Sequence, residues 1–128
     1  MDMGYKNRVM IVDDDREFLE EIADMLHYAG YDVIAVDGPS SVLELSRDKK
    51  PDLILIDLKM RPVSGFEVAY ALKRDPETSA IPIIAISAFY TIKEHEFLTN
   101  ICDIRKFFKK NSNPADIMAE IKDVLDER

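Results

Sequence analysis

The amino-acid sequence predicts an open, doubly wound parallel α/β sheet, on two observations. Short apolar runs rich in Val and Ile alternate with longer stretches whose apolar residues recur at helical spacing, and the alternation continues to the end of the chain. Most of the short runs are apolar throughout, which suits strands covered by helices on both faces rather than strands with one wet face. Right-handed crossovers between such strands place helices on both sides of the sheet.

The strand runs are Val9-Met10-Ile11-Val12, Val33-Ile34-Ala35-Val36, Leu53-Ile54-Leu55-Ile56, Ile83-Ile84-Ala85-Ile86 and a weaker Phe107-Phe108. In the first intervening stretch Phe18, Ile22, Met25, Leu26 and Ala29 form one helical stripe, which Gly30 can close as a cap. Gly38-Pro39-Ser40 opens a second helix and Lys49-Lys50-Pro51 closes it. A third helix runs from about Gly65 to Arg74, with Phe66, Ala69 and Leu72 facing inward and Asp75-Pro76 as its stop. The fourth, around Thr91 to Ile101, has a mixed stripe of Ile92, Glu96 and Phe97, so its ends are expected to fray or shift. The last starts at Asn113-Pro114, a cap followed by a first-turn proline, and carries Ile117, Ile121, Val124 and Leu125 on one side.

A chain of 128 residues, 47% hydrophobic, supports a single domain over residues 1–128 with one core. Its net charge of −8 repels nucleic-acid phosphates and anionic lipid, which argues against direct binding to either. The single cysteine, Cys102, has no partner for an internal disulfide, and no charged segment followed by an apolar stretch opens the chain. No apolar run approaches the roughly 20 residues that span a bilayer. A soluble, cytoplasmic protein is expected.

In doubly wound sheets, sites form beyond the carboxyl ends of the strands, where strand order reverses. There the first predicted strand ends in Asp13-Asp14-Asp15, the third in Asp57, the fourth in Ser87 and the fifth in Lys109-Lys110. Taken singly each has an ordinary reading, since Asp after a strand is a turn former or helix cap and Ser and Lys are common loop residues. Taken together, carboxylates brought from two strand ends into one crevice repel one another unless a cation neutralises them. An all-oxygen set suits Mg²⁺, whereas zinc would want His or Cys, and His27 and His95 both fall inside predicted helices. A carboxylate such as Asp57 can attack phosphorus if its charge and that of the phosphoryl oxygens are offset. Besides the metal, an ammonium from Lys110 and a hydroxyl from Ser87 supply those offsets.

Val9 to Asp15, Asp57-Leu58-Lys59-Met60 with Gly65 following, Ile86-Ser87-Ala88, and Phe107-Phe108-Lys109-Lys110 ahead of Asn113-Pro114 together resemble the receiver domains of two-component response regulators. The resemblance covers nearly the whole chain. It implies a flavodoxin-like, chemotaxis-regulator-like fold with strand order 2-1-3-4-5 and five helices. It further implies Asp57 as phosphoacceptor, Asp14 as direct ligand of Mg²⁺ (with Mn²⁺ as a substitute), Asp13 as the water-mediated companion and the backbone carbonyl of Lys59 as a further ligand. Ser87 matches the hydroxyl residue that bonds the phosphoryl group, Lys110 the active-site lysine, with Lys109 the alternative, and Phe107 the switch aromatic or else an ordinary core phenylalanine. Lys59 and Phe89 occupy places that tune hydrolysis in receivers.

The implied partners are a histidine kinase or histidine phosphotransfer protein and an unknown downstream effector. The expected state is a monomer or a weak homodimer through the face from the fourth to the fifth helix. The acidic start of the first helix, Glu17, Glu20 and Glu21, reads as a solvated face or as a kinase-docking rim. No effector domain follows the last helix in this sequence, which fits a stand-alone receiver or a piece of a longer protein.

Three positions depart from the family pattern. Asn111 stands where proline usually follows the lysine, and a trans Lys110–Asn111 bond is expected because a cis non-proline bond costs about 2.5 to 4 kcal/mol. Arg61 separates Met60 from Pro62, and Asp103 replaces the glycine common before the fifth strand. The resemblance implies a switch that catalyses its own modification rather than a turnover enzyme. A Mg²⁺-dependent phosphohydrolase would need a second acid where Lys59 stands. A flavin carrier would need a Ser/Thr/Gly-rich loop where Asp13-Asp14-Asp15-Arg16 stands. A receiver-like module that works without phosphorylation is the remaining alternative.

Overall fold

The computed structural model describes residues 6–127. Its elements alternate without exception: β1 (Arg8–Val12), α1 (Arg16–Tyr28), β2 (Asp32–Val36), α2 (Val42–Lys49), β3 (Leu53–Asp57), α3 (Gly65–Arg74), β4 (Ile83–Ser87), α4 (Ile92–Asn100), β5 (Lys106–Lys109) and α5 (Pro114–Asp126). The five strands form one parallel sheet in the order β2-β1-β3-β4-β5. The order reverses between β1 and β3, so a crevice opens there beyond the strands' carboxyl ends.

The continuous apolar runs are explained by the two faces of this sheet. Met10, Val12, Ile54, Ile56 and Ala85 point to one side and pack with Val42, Leu72 and Leu98 from α2, α3 and α4. Val9, Ile11, Leu53, Leu55, Ile84 and Ile86 point to the other and pack with Leu19, Ile22 and Leu26 of α1 and Ile117 and Ile121 of α5. Successive strand residues face opposite ways, so only a strand covered twice is apolar at every position. Each fully buried Leu or Ile contributes about 1.5–3 kcal/mol of transfer free energy.

Several local expectations shift. β2 is an edge strand, and despite its apolar run Asp32 and Ala35 are exposed. In α1, Leu19 joins Ile22 and Leu26 as the buried stripe, Phe18 and Met25 are half-buried, and Ala29 is an exposed cap. Gly30, at φ 97°, closes that helix with its N–H on the His27 carbonyl, a left-handed conformation that glycine adopts without a Cβ penalty. α2 starts later than Gly38-Pro39-Ser40, at Val42 behind Ser41. In α3, Val68 takes the core place expected of Phe66, which is half-buried. In α4, Leu98 is the buried residue and Ile92 is 79% exposed, because the stripe expected there points largely to solvent. Asp103 sits at φ 56°, the left-handed region that favours the glycine it replaces and that Asp tolerates better than most residues. Among the described residues, no helix is long and apolar enough to cross a membrane.

Candidate functional site

β1 runs out of apolar residues at Val12, but its ladder continues for one more bond, from the Asp13 N–H to the Val36 carbonyl at 3.1 Å. That bond draws Asp13 into the sheet, and its side chain is buried with 1% exposure. Asp57 is the last residue of β3, paired with Ile86 and 3% exposed. Asp14, exposed on the following loop, accepts the Arg61 N–H at 3.3 Å and so ties the loop after β1 to the loop after β3. One carboxylate oxygen from each of Asp13, Asp14 and Asp57 lies within 4.8 Å of the others.

The loop that carries Asp57 onward turns back tightly. The Gly65 N–H donates to the Leu58 carbonyl at 3.0 Å, and a Cβ at Gly65 would collide with the Asp57 carbonyl oxygen and lie 2.7 Å from the Leu58 Cα. Only glycine lets α3 begin this close to the strand end. Ser64 and Glu67 then cap α3 reciprocally, each side chain accepting the other's backbone N–H.

Of the two lysines ending β5, Lys110 enters the crevice and Lys109 stays exposed. The Lys110 N–H donates to the Ser87 carbonyl at 2.9 Å, which continues the β4 to β5 ladder past Lys109. Its ammonium donates to Asp13 Oδ1 at 3.0 Å and lies 3.6 Å from Asp57 Oδ2 and 3.9 Å from Asp15 Oδ2. Phe18 supports it from below, its ring centre 4.9 Å away. The Lys110–Asn111 bond is trans, as expected, the one cis bond among the described residues being Arg61–Pro62.

Ser87 is buried beside this cluster, but its hydroxyl donates to the Phe89 carbonyl at 2.7 Å rather than to a carboxylate. Phe107 is half-buried and stacks on His95 with ring centres 4.4 Å apart, Tyr90 lying 5.8 Å from the same ring. Lys59 donates its backbone N–H to Asp57 Oδ1 at 3.3 Å while its side chain turns away to Glu94.

Burial pushes the Asp13 carboxyl up to about 6, although the hydrogen bonds from Lys110 and from the Asp15 N–H pull it down; the Asp57 charge adds to the rise. Burial alone would lower the Lys110 ammonium, but the hydrogen bond to Asp13 and the charges of Asp13, Asp57 and Asp15 outweigh it and hold it above the usual lysine range. Asp13 Oδ2 is buried, lies 2.9 Å from the Lys110 ammonium and accepts no hydrogen bond. An under-satisfied buried carboxylate oxygen facing two further carboxylates is a set of hard donors short of positive charge.

Three neighbours of this crevice were not expected from the sequence. Phe18 reads as a core residue of α1, and nothing in its spacing announces a ring beneath Lys110. The Arg61 N–H is a backbone donor with no side-chain signature. Glu94 alone had a signal in the sequence, since Thr91 followed three residues later by Glu94 is a capping-box pattern.

A family model described as the response regulator receiver domain matches residues 9–122. The chain is 41% identical over 81 residues to the polar-differentiation response regulator DivK of Brucella anthropi; that match spans 63% of this chain and 66% of the relative, just under two thirds of its length. Among solved structures, the CheY-like response regulator receiver domain protein of Methanospirillum hungatei JF-1 superposes with a TM-score of 0.89 over 96% of both chains at 24% identity. A response regulator from Desulfuromonas acetoxidans superposes with a TM-score of 0.79 at 28% identity, over 94% of this chain and 97% of the other.

Proposed function

Because this chain belongs to the response regulator receiver family of two-component signalling, we propose that it accepts a phosphoryl group on Asp57 from a phosphohistidine and thereby changes its hold on a downstream partner. The donor is a sensor histidine kinase or a histidine phosphotransfer protein. The observation that carries this reading is the convergence of Asp57 with Asp13, Asp14 and Lys110 at the point where strand order reverses.

The donor set fits Mg²⁺, or Mn²⁺ in its place, held by Asp14, Asp57, Asp13 and the backbone carbonyl of Lys59. When bound, the metal offsets the negative charge of the carboxylates and of the incoming phosphoryl oxygens. A carboxylate oxygen of Asp57 attacks phosphorus in line, the new O–P bond forms as the P–N bond to the donor imidazole breaks, and the imidazole takes the leaving electron pair. Lys110, already 3.6 Å from Asp57, offsets charge on the transferred group. The Ser87 hydroxyl exchanges its bond to the Phe89 carbonyl for one to a phosphoryl oxygen, which pulls the loop after β4 inward. Phe107 and the rings stacked on it follow that movement, and the face from α4 to α5 is where a partner, or a second copy in a weak homodimer, reads it. Phe89, 61% exposed at the rim, shields the acyl phosphate and slows its loss. The chain catalyses its own charging and discharging in the cytoplasm and turns over no external substrate.

The test is mass spectrometry of the intact protein after incubation with acetyl phosphate, with and without Mg²⁺, beside Asp57→Ala. A Mg²⁺-dependent gain of one phosphoryl group that the variant lacks supports the reading. No gain in folded wild-type protein overturns it and favours a module that binds partners without phosphorylation.

A further inference from the structure

Lys59 has a place that the transfer chemistry leaves unexplained. Its backbone is fastened to the site, the N–H bonding Asp57 Oδ1 at 3.3 Å, so the root of the side chain lies beside the phosphoacceptor. Its ammonium is nevertheless held outside the crevice, 2.7 Å from Glu94 Oε2 and flanked by two phenyl rings, Phe66 at 5.3 Å and Phe89 at 5.0 Å. The Lys59 side chain is 36% exposed, so it has room to swing. Glu94 is a shared anchor: its other oxygen accepts the Thr91 N–H at 2.9 Å and completes the capping box of α4. Among the described ion pairs outside the Lys110 cluster, this one alone joins the loop after Asp57 to another element.

We propose that Lys59 is a second phosphoryl-binding cation held in reserve by Glu94, so that charging Asp57 exchanges the Lys59–Glu94 ion pair for a Lys59–phosphoryl pair and releases the first turn of α4. The inference rests on Asp57 being the phosphoacceptor. The physical driver is charge: a phosphoryl group brings about −1.5 to −2 next to the root of Lys59, against the single charge of Glu94. The two rings beside the ammonium favour a cation in their neighbourhood. α4 is suited to register the loss, since Leu98 is its one buried residue.

Beryllofluoride, a non-covalent phosphoryl mimic, tests the exchange when its apparent affinity in the presence of Mg²⁺ is measured by fluorine NMR on wild type, Lys59→Met, Lys59→Arg, Glu94→Gln and the Lys59→Met/Glu94→Gln pair. Gln keeps the capping hydrogen bond and loses the charge. Glu94→Gln is expected to tighten binding by about two- to fivefold, the range of an exposed ion pair. Lys59→Met weakens it by a similar factor, Lys59→Arg restores it, and Glu94→Gln has no effect once Lys59 is gone. Unchanged affinity in Glu94→Gln, or the same change with and without Lys59, overturns the exchange while leaving the receiver reading intact. Wild-type protein that binds no beryllofluoride at all overturns both.

Discussion

β3 and α4 flank the same crevice and are built in opposite ways. Every residue of β3 is buried, the strand is paired with β1 on one side and β4 on the other, and Asp57 at its end pairs with Ile86 of β4. α4 buries Leu98 and leaves Ile92 and Ile101 beside it in solvent. Cooperative units with few buried apolar contacts open at lower free energy than core strands. A charge placed on Asp57 therefore meets an unyielding strand on one side and a lightly seated helix on the other. On the proposed function, movement would be directed into α4 and the loop that precedes it.

The sharpest way to break this comparison is to cut one core residue from each element. Ile54→Ala is expected to cost about 4 kcal/mol in urea unfolding and Leu98→Ala about 2 kcal/mol, because α4 can settle into the space that its own residue leaves. Equal costs would mean that α4 is seated as firmly as the sheet. Gly65→Ala tests the rigid side at its tightest point, where a Cβ has no room against the Asp57 carbonyl. A loss of about 3 kcal/mol is expected there, together with weaker phosphoryl uptake from the displaced strand end.

Asp13 sharpens the comparison through pH. Its folded value of about 6 lies above the ordinary 3.8, so the folded protein keeps a proton that the unfolded chain has released. The stability this brings is complete below the ordinary value and is lost as pH rises through about 6. Metal-free protein should thus be less stable at neutral pH than near pH 4 by on the order of 2 kcal/mol from this group, and Asp13→Asn should flatten that dependence. Thermal melts across pH in a chelating buffer check it. The smallest effect belongs to the lightly seated side: Thr91→Ala removes the side-chain cap of α4 and should cost about 1 kcal/mol. Amide exchange should quicken in residues 92–95 and stay unchanged in β3.

The fold was legible because both faces of the sheet are covered, which writes Val9 to Val12, Leu53 to Ile56 and Ile83 to Ile86 as continuous apolar runs. β2 was legible in place but not in burial, since nothing in Val33 to Val36 says that the strand lies at an edge. Caps made of Gly30, Asn113 and Pro114 acted as their local chemistry dictates. α4 was read less well for the reason it differs from β3: with one buried residue, its hydrophobic spacing carries little of its position. The acids of the crevice were legible because each ends an apolar run, and Lys110 because it precedes a readable helix start. The exposure of the alternative, Lys109, needed the path of the chain at the end of β5. The partners of Ser87 and Lys59 needed the loop paths, for which spacing holds no record.

Hydrogen exchange of the whole chain, with Mg²⁺ alone and with Mg²⁺ plus beryllofluoride, tests the central claim most directly. The account predicts a change confined to residues 88–101 and to β5, with residues 53–57 unaltered. Exchange that changes equally in β3 and α4, or in β3 alone, would contradict it.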